Sequence, residues 1–154
     1  MLLVDLSKSA MFGTQSNFKS EIITELAAVM AFSAINNNDK VGAILFTDKI
    51  EKYIPPGKGK TNTLRIIREL INHEVESDGT DLNKALEYLN NVQKKRAIIF
   101  VLSDYMTDRY ETALTVAARR HDIVGMQIYD ERETELPNVG PVSYTHLTLP
   151  TKRI

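Results

Sequence analysis

The chain contains no cysteine. That excludes disulfides, thiolate metal sites and cysteine nucleophiles, and it fits a reducing cytoplasm. An excess of charge of one sign is also missing. Lysine and arginine number 19 against 20 acidic side chains, for a net charge of −1, so the sequence shows no electrostatic footprint for nucleic acid or an anionic membrane. No apolar run reaches the roughly 18 residues of a membrane span, and no signal peptide precedes the first apolar segment. Repeats and low-complexity segments are absent too. What is present is ordinary globular material: 154 residues, 43% hydrophobic and 25% charged. That length suits one domain, which on folding buries roughly two-thirds of its unfolded surface.

Apolar patterning divides the chain into alternating strands and helices. Met1-Leu2-Leu3-Val4 reads as a buried strand. Residues 18–35 read as a helix with Phe18, Ile22, Leu26, Val29, Met30 and Ser33 on its buried stripe and Ala27, Ala28, Ala31 and Ala34 keeping the rest slim. Asn36-Asn37-Asn38-Asp39 supplies turn chemistry. Strands are expected at 40–46 and, running back antiparallel as an edge, at 50–54, ended by Pro55-Pro56-Gly57. A helix over 61–72 presents Leu64, Ile67, Leu70 and Ile71, and one over 81–92 presents Leu82, Ala85, Leu86 and Leu89. Residues 96–102 form the clearest strand, apolar on both faces as a central parallel strand requires. A helix over 110–120 and a strand over 123–129 follow. This alternation predicts an α/β, Rossmann-like, mostly parallel sheet with helices on both faces and one antiparallel edge strand.

Oxygen-bearing side chains gather where these strands end. Asp5, Ser7 and Ser9 follow the first strand, Gly79-Thr80-Asp81 precedes a helix, and Ser103-Asp104 follows the most apolar strand. Open α/β sheets place their sites at the carboxyl ends of strands. Carboxylates and hydroxyls together are hard donors suited to a hard dication. Taken alone, each has a plainer reading. The Asp5 string can be an Asx- or Ser-turn, Thr80 a helix N-cap, and Asp104 a turn residue or a cap.

As a set, Asp5-Leu6-Ser7-Lys8-Ser9, Thr80 and Asp104 resemble the metal-ion-dependent adhesion site of von Willebrand factor A (vWA) domains. Further segments resemble one bacterial branch of that group, domain of unknown function 58, whose genes typically lie beside those for MoxR-type AAA+ ATPases. They are Asn37-Asn38-Asp39-Lys40-Val41-Gly42, Tyr53-Ile54-Pro55-Pro56, Gly79-Thr80-Asp81-Leu82, Ala85-Leu86-Glu87-Tyr88-Leu89 and Arg119-Arg120-His121-Asp122. The resemblance covers nearly all of residues 1–140. It implies a vWA-like fold lacking an amino-terminal region, the final strand and the final helix. It also implies Mg²⁺ or Mn²⁺ held by Asp5, Ser7, Ser9, Thr80 and Asp104, and a protein partner that donates a carboxylate to the metal. A MoxR-type ATPase is the partner implied, and binding rather than catalysis the role. With only two anionic ligands the dication stays under-neutralised, and Mg²⁺ keeps exchangeable waters. Tyr105 and Met106 offer a hydrophobic rim for the partner, or sit partly buried under the next helix.

Other signals are weaker. Gly57-Lys58-Gly59-Lys60-Thr61 lacks the first glycine of a phosphate-binding loop, since Ile54 stands in its place. A haloacid-dehalogenase-like phosphatase with Asp5 as nucleophile is the rival reading, but such enzymes carry a second Asp where this chain has Ser7, a poor general acid at neutral pH. His73 and His121 are not spaced as a metal pair. Residues 142–151 can be back-translated into a string resembling the transposon end and adapter that tag sequencing libraries. Residues 141–154 are therefore expected to be a non-native tail, and 1–140 a partial domain cut at both ends.

Overall fold

The computed structural model describes residues 1–7, 14–105, 107, 109–130, 143–144, 147–148 and 151–153. In chain order these form β1 (Leu2–Asp5), α1 (Thr14–Asn36), β2 (Val41–Phe46), β3 (Ile50–Gly57), α2 (Lys60–Asn72), α3 (Leu82–Val92), β4 (Ile98–Ser103), α4 (Glu111–Arg120), β5 (Asp122–Gln127), β6 (Tyr129–Asp130), β7 (Ser143–Tyr144), β8 (Leu147–Thr148) and β9 (Thr151–Arg153). The main sheet runs β3-β2-β1-β4-β5-β9. Strands β1, β2, β4 and β5 are mutually parallel, and β3 pairs antiparallel with β2 at one edge. This is the mixed α/β architecture that the strand–helix alternation predicts. One feature differs: β9, within the segment excluded from the sequence reading, pairs antiparallel with β5 at Val124–Met126 and forms a second antiparallel edge. Strands β6, β8 and β7 make a small separate sheet.

Alternation along the central strands sorts their side chains to two faces. Leu3, Ile44, Phe46, Ile99, Val101 and Ile123 pack under α3 and α4, against Leu82, Ala85, Leu86, Leu89, Ala113 and Ala117. Leu2, Val4, Ala43, Leu45, Ile54 and Leu102 face α1 and α2, meeting Ile23, Ala27, Ala31, Ile66 and Leu70. Strand β1 is buried on both faces, and so reads as an unbroken apolar run.

The helices on this second face are rotated from their expected orientation. In α1 the fully inward residues are Ile23, Ala27 and Ala31, while Val29 is 61% exposed. In α2 they are Thr63, Ile66 and Leu70, with Ile71 65% exposed. Alanines let α1 approach the sheet closely, so the slim side goes inward and the bulkier residues lie along its flanks, a choice that packing and not hydrophobicity decides. By contrast, α3 buries the four residues its spacing indicates.

Strand β3 also runs on through Pro55 and Pro56 to Gly57. An edge strand tolerates proline because its outer N–H groups have no ladder partner. The irregularity falls opposite Gly42, where the β2–β3 register shifts between Val41 and Ala43. A Cβ on Gly42 would stand 2.7 Å from Pro56 N and 2.8 Å from Ile54 O. Asn62 of α2 closes the irregular stretch, its Nδ2 donating to Val41 O at 2.6 Å and Gly57 O at 3.1 Å.

Candidate metal centre

Parallel pairing of Val4 with Leu102 brings the next residues, Asp5 and Ser103, level at the carboxyl ends of β1 and β4. The Ser103 hydroxyl donates to Asp5 Oδ2 at 2.7 Å. Thr80, in the loop before α3, donates its hydroxyl to the same oxygen at 3.1 Å. The other carboxylate oxygen, Oδ1, accepts from Ser7 N at 2.8 Å. Asp5 is therefore both an Asx-type turn residue and the point where three chain segments meet. Asp5 and Asp104 are each 3% exposed. Asp104 follows Ser103 directly, and its charge is felt at Asp5.

Several plainer readings are now decided. Thr80 is not the N-cap of α3; Asp81 is, accepting from Lys84 N at 3.0 Å. Thr80 is thereby left to face Asp5. Asp104 does not cap α4, whose N-cap position is Tyr110. Tyr105, a candidate for the partner rim, turns inward instead. Its hydroxyl donates to Val101 O at 2.9 Å, its ring packs on the α3–α4 side of the core, and burial pushes its phenol well above the usual range. Its φ of 58° lies in the left-handed region, a conformation that costs a residue with a Cβ about 1 kcal/mol or more. This bend redirects the chain immediately after Asp104. Ser9 and Met106 lie outside the described residues.

Ser103 stands beside Asp104 among the oxygen donors of the sequence but is not one of the five metal residues that the family resemblance implies. It was visible as a hydroxyl at the last position of the most apolar strand, but its part as the donor that orients Asp5 depends on the β1–β4 register. His73 and His121 take structural places. His73 follows α2 with Nε2 at 2.9 Å from Glu51 Oε1, and His121 follows α4 and accepts from Ala97 N at Nδ1, 3.2 Å away. In the glycine-lysine loop, Asn62 lies directly against Gly57, 3.1 Å from where a Cβ would stand.

Among the described residues, no three or more His, Cys, Asp or Glu side chains group so as to hold a metal. The cluster at the strand ends has a different composition, two carboxylates among hydroxyls, and it fits a hard cation on two observations. Ser7 Oγ is buried close to the Asp5 carboxylate but makes no well-directed hydrogen bond among the described residues, an arrangement that ordinarily has an explanation such as an ion or a water. Burial, with the neighbouring Asp104 charge adding to it, also raises the Asp5 pKa even though hydrogen bonds from Ser7 and Ser103 oppose the shift. A buried carboxylate whose charge is disfavoured, with a second buried carboxylate beside it, is what a dication would relieve.

Comparison with known proteins establishes the fold and the family. The uncharacterized protein Rv1480 of Mycobacterium tuberculosis is 26% identical over 144 residues, covering 92% of this chain and 45% of that protein. The uncharacterized protein MAV169 of Mycobacterium avium is 29% identical over 63 residues, 40% of this chain and 37% of that protein. The chain thus spans about half the length, or less, of the curated relatives it matches. Among solved structures, BatB from Bacteroides thetaiotaomicron superposes with a TM-score of 0.62 at 16% identity, over 99% of this chain and 78% of that one. Proximal thread matrix protein 1 from the mussel byssus, in a form with a zinc-occupied MIDAS motif, gives a TM-score of 0.60 at 16% identity over 80% of this chain and 36% of that one. At these identities the structural matches establish the fold, which is vWA-like. The family described as protein of unknown function DUF58 matches residues 1–150, and the chain belongs to it.

Proposed function

We propose that this chain is a divalent-cation-dependent protein-binding domain, with Asp5, Ser7, Thr80 and Asp104, joined by Ser9, holding Mg²⁺ or Mn²⁺. The observation that carries the proposal is the convergence on the buried Asp5 carboxylate of donors from three separate segments, Ser7, Thr80 and Ser103, beside a second buried carboxylate, Asp104. The zinc-occupied MIDAS motif of the mussel protein, on the same fold, supports a metal here. Two anionic ligands leave a dication under-neutralised, and a bound Mg²⁺ retains exchangeable waters. The charge that completes such a shell is a carboxylate from a partner protein. The family resemblance points to a MoxR-type AAA+ ATPase as that partner, acting in the cytoplasm.

Binding fits the site better than bond breaking. Both Asp5 oxygens already accept hydrogen bonds, which ties down the carboxylate that a phosphatase would use as nucleophile, and Ser7 stands where such an enzyme carries its acid. Isothermal titration with Mg²⁺, Mn²⁺ and Zn²⁺ tests the proposal. The wild-type chain is expected to bind one ion, and Asp5→Ala and Asp104→Ala to lose it. Binding that survives both substitutions refutes the site. Turnover of a generic phosphate ester that disappears with Asp5→Asn refutes the binding role.

A further inference from the structure

Another carboxylate shielded from solvent lies outside the site. Glu51, on β3, is a half-buried residue whose carboxylate is shielded from solvent by its neighbours. A buried charge is costly unless its lone pairs are filled, and here they are. Glu51 Oε2 accepts from the Thr47 hydroxyl at 2.8 Å. Its Oε1 accepts from Glu76 N at 3.1 Å and meets His73 Nε2 at 2.9 Å. One side chain on the edge hairpin therefore gathers the β2–β3 turn, the end of α2 and the middle of the loop that leads to α3.

That loop is fastened to the same hairpin at three further points. Lys49 pairs with Glu76. Asp81 N donates to Thr47 O at 2.8 Å. Gly79 lies against Asp48, where a Cβ would stand 3.1 Å from Oδ2. Thr80 sits between the last two anchors, and its hydroxyl reaches Asp5 Oδ2. Of the three segments that meet at Asp5, the Thr80 loop alone is not directly joined to a parallel strand of the sheet. Its place is set from the hairpin side.

We infer that Glu51 is a positioning residue for the metal centre: by fastening loop 73–81 to the hairpin it holds the Thr80 hydroxyl at Asp5 and so sets the affinity for the cation. This rests on the metal-binding reading above, and two measurements keep the two claims separable. In hydrogen exchange, Glu51→Ala is expected to speed exchange of the 74–81 amides about tenfold or more while β1 and β4 stay protected, as for local rather than global opening. In titration, Glu51→Ala is expected to weaken Mn²⁺ binding about tenfold, the lower end for groups that orient metal ligands. Thr80→Ala added to Glu51→Ala is expected to cost little more, because both act through one hydroxyl. Glu51→Gln keeps an acceptor oxygen without the charge. It is expected to show the same changes at smaller size, and it serves if the alanine variant does not fold. Unchanged exchange in 74–81, or losses from Glu51→Ala and Thr80→Ala that simply add, overturns the inference. If the wild-type chain binds no cation, the metal reading and the affinity claim fall together, and the exchange measurement still decides whether Glu51 holds the loop.

Discussion

Replacing Ser103 with alanine tests the electrostatics of the centre. The Ser103 hydroxyl is fully buried, donates to Asp5 Oδ2 at 2.7 Å and accepts from Tyr105 N at 3.0 Å. The substitution removes a single oxygen, so the effect is the loss of these two bonds. The bond to Tyr105 is neutral and worth about 1 kcal/mol at any pH. The bond to Asp5 changes with the charge of its acceptor, about 0.5–1.5 kcal/mol when Asp5 is protonated and about 1.5–3 kcal/mol when it is ionised. The Asp5 pKa is raised above its ordinary value of 3.8, first by burial and further by Asp104. A raised carboxylate pKa means that the metal-free native state holds its proton more tightly than the unfolded chain. This group's contribution to stability is therefore full below pH 3.8 and is lost as pH rises through the native-state value. Ser103→Ala raises that pKa further, so its deficit must grow with pH. Urea unfolding in EDTA from about pH 4 to about pH 8, a span that covers the carboxylate range, is expected to show a deficit about 1 kcal/mol larger at the high end. A deficit that stays level, or shrinks as pH rises, refutes the argument that Asp5 is the titrating acceptor.

Other outcomes follow from the same contacts. Gly42→Ala forces a Cβ against the backbone of Ile54 and Pro56 and is expected to destabilise by about 1–3 kcal/mol, read as a lower urea midpoint with an unchanged m-value; an unchanged midpoint refutes the close approach. His121 is buried, and burial lowers its pKa below 6.5, with Arg120, the terminal amine and Arg96 adding to the shift. Its neutral form is favoured in the native state, so its contribution to stability is full above pH 6.5 and declines as pH falls through the lowered value. An imidazole NMR titration midpoint at or above 6.5 would contradict the burial. Cation binding requires Asp5 to be ionised, so Mn²⁺ affinity is expected to fall with falling pH and binding to release protons; titration in buffers of differing ionisation enthalpy measures the release, and none at any pH counts against Asp5 as ligand.

Much of this architecture could be read from residue order. Leu82, Ala85, Leu86 and Leu89 are spaced for one helix face, and that face is buried. Residues 97–102 are apolar throughout, and β4 lies inside a parallel sheet. Asp5, Thr80 and Asp104 stand out because each is an oxygen donor at an element boundary, a property of local sequence. Less could be read where several apolar choices compete. Residues 14–36 offer both a bulky stripe and an alanine stripe, and only the distance between helix and sheet selects Ile23, Ala27 and Ala31. Pro55-Pro56 reads as a stop, yet on an edge with Gly42 opposite it continues the strand.

By itself the sequence determined the element types, the α/β class and the set of oxygen donors, because periodicity and turn chemistry act over a few residues. Tertiary structure alone decided that Ser103 comes level with Asp5 and that Thr80 reaches the same carboxylate from 75 residues away. It also decided that Glu51 fastens the loop carrying Thr80. Strand register and loop anchorage are contacts between distant segments, and nothing in the local chain encodes the length of a hydrogen bond formed across a sheet.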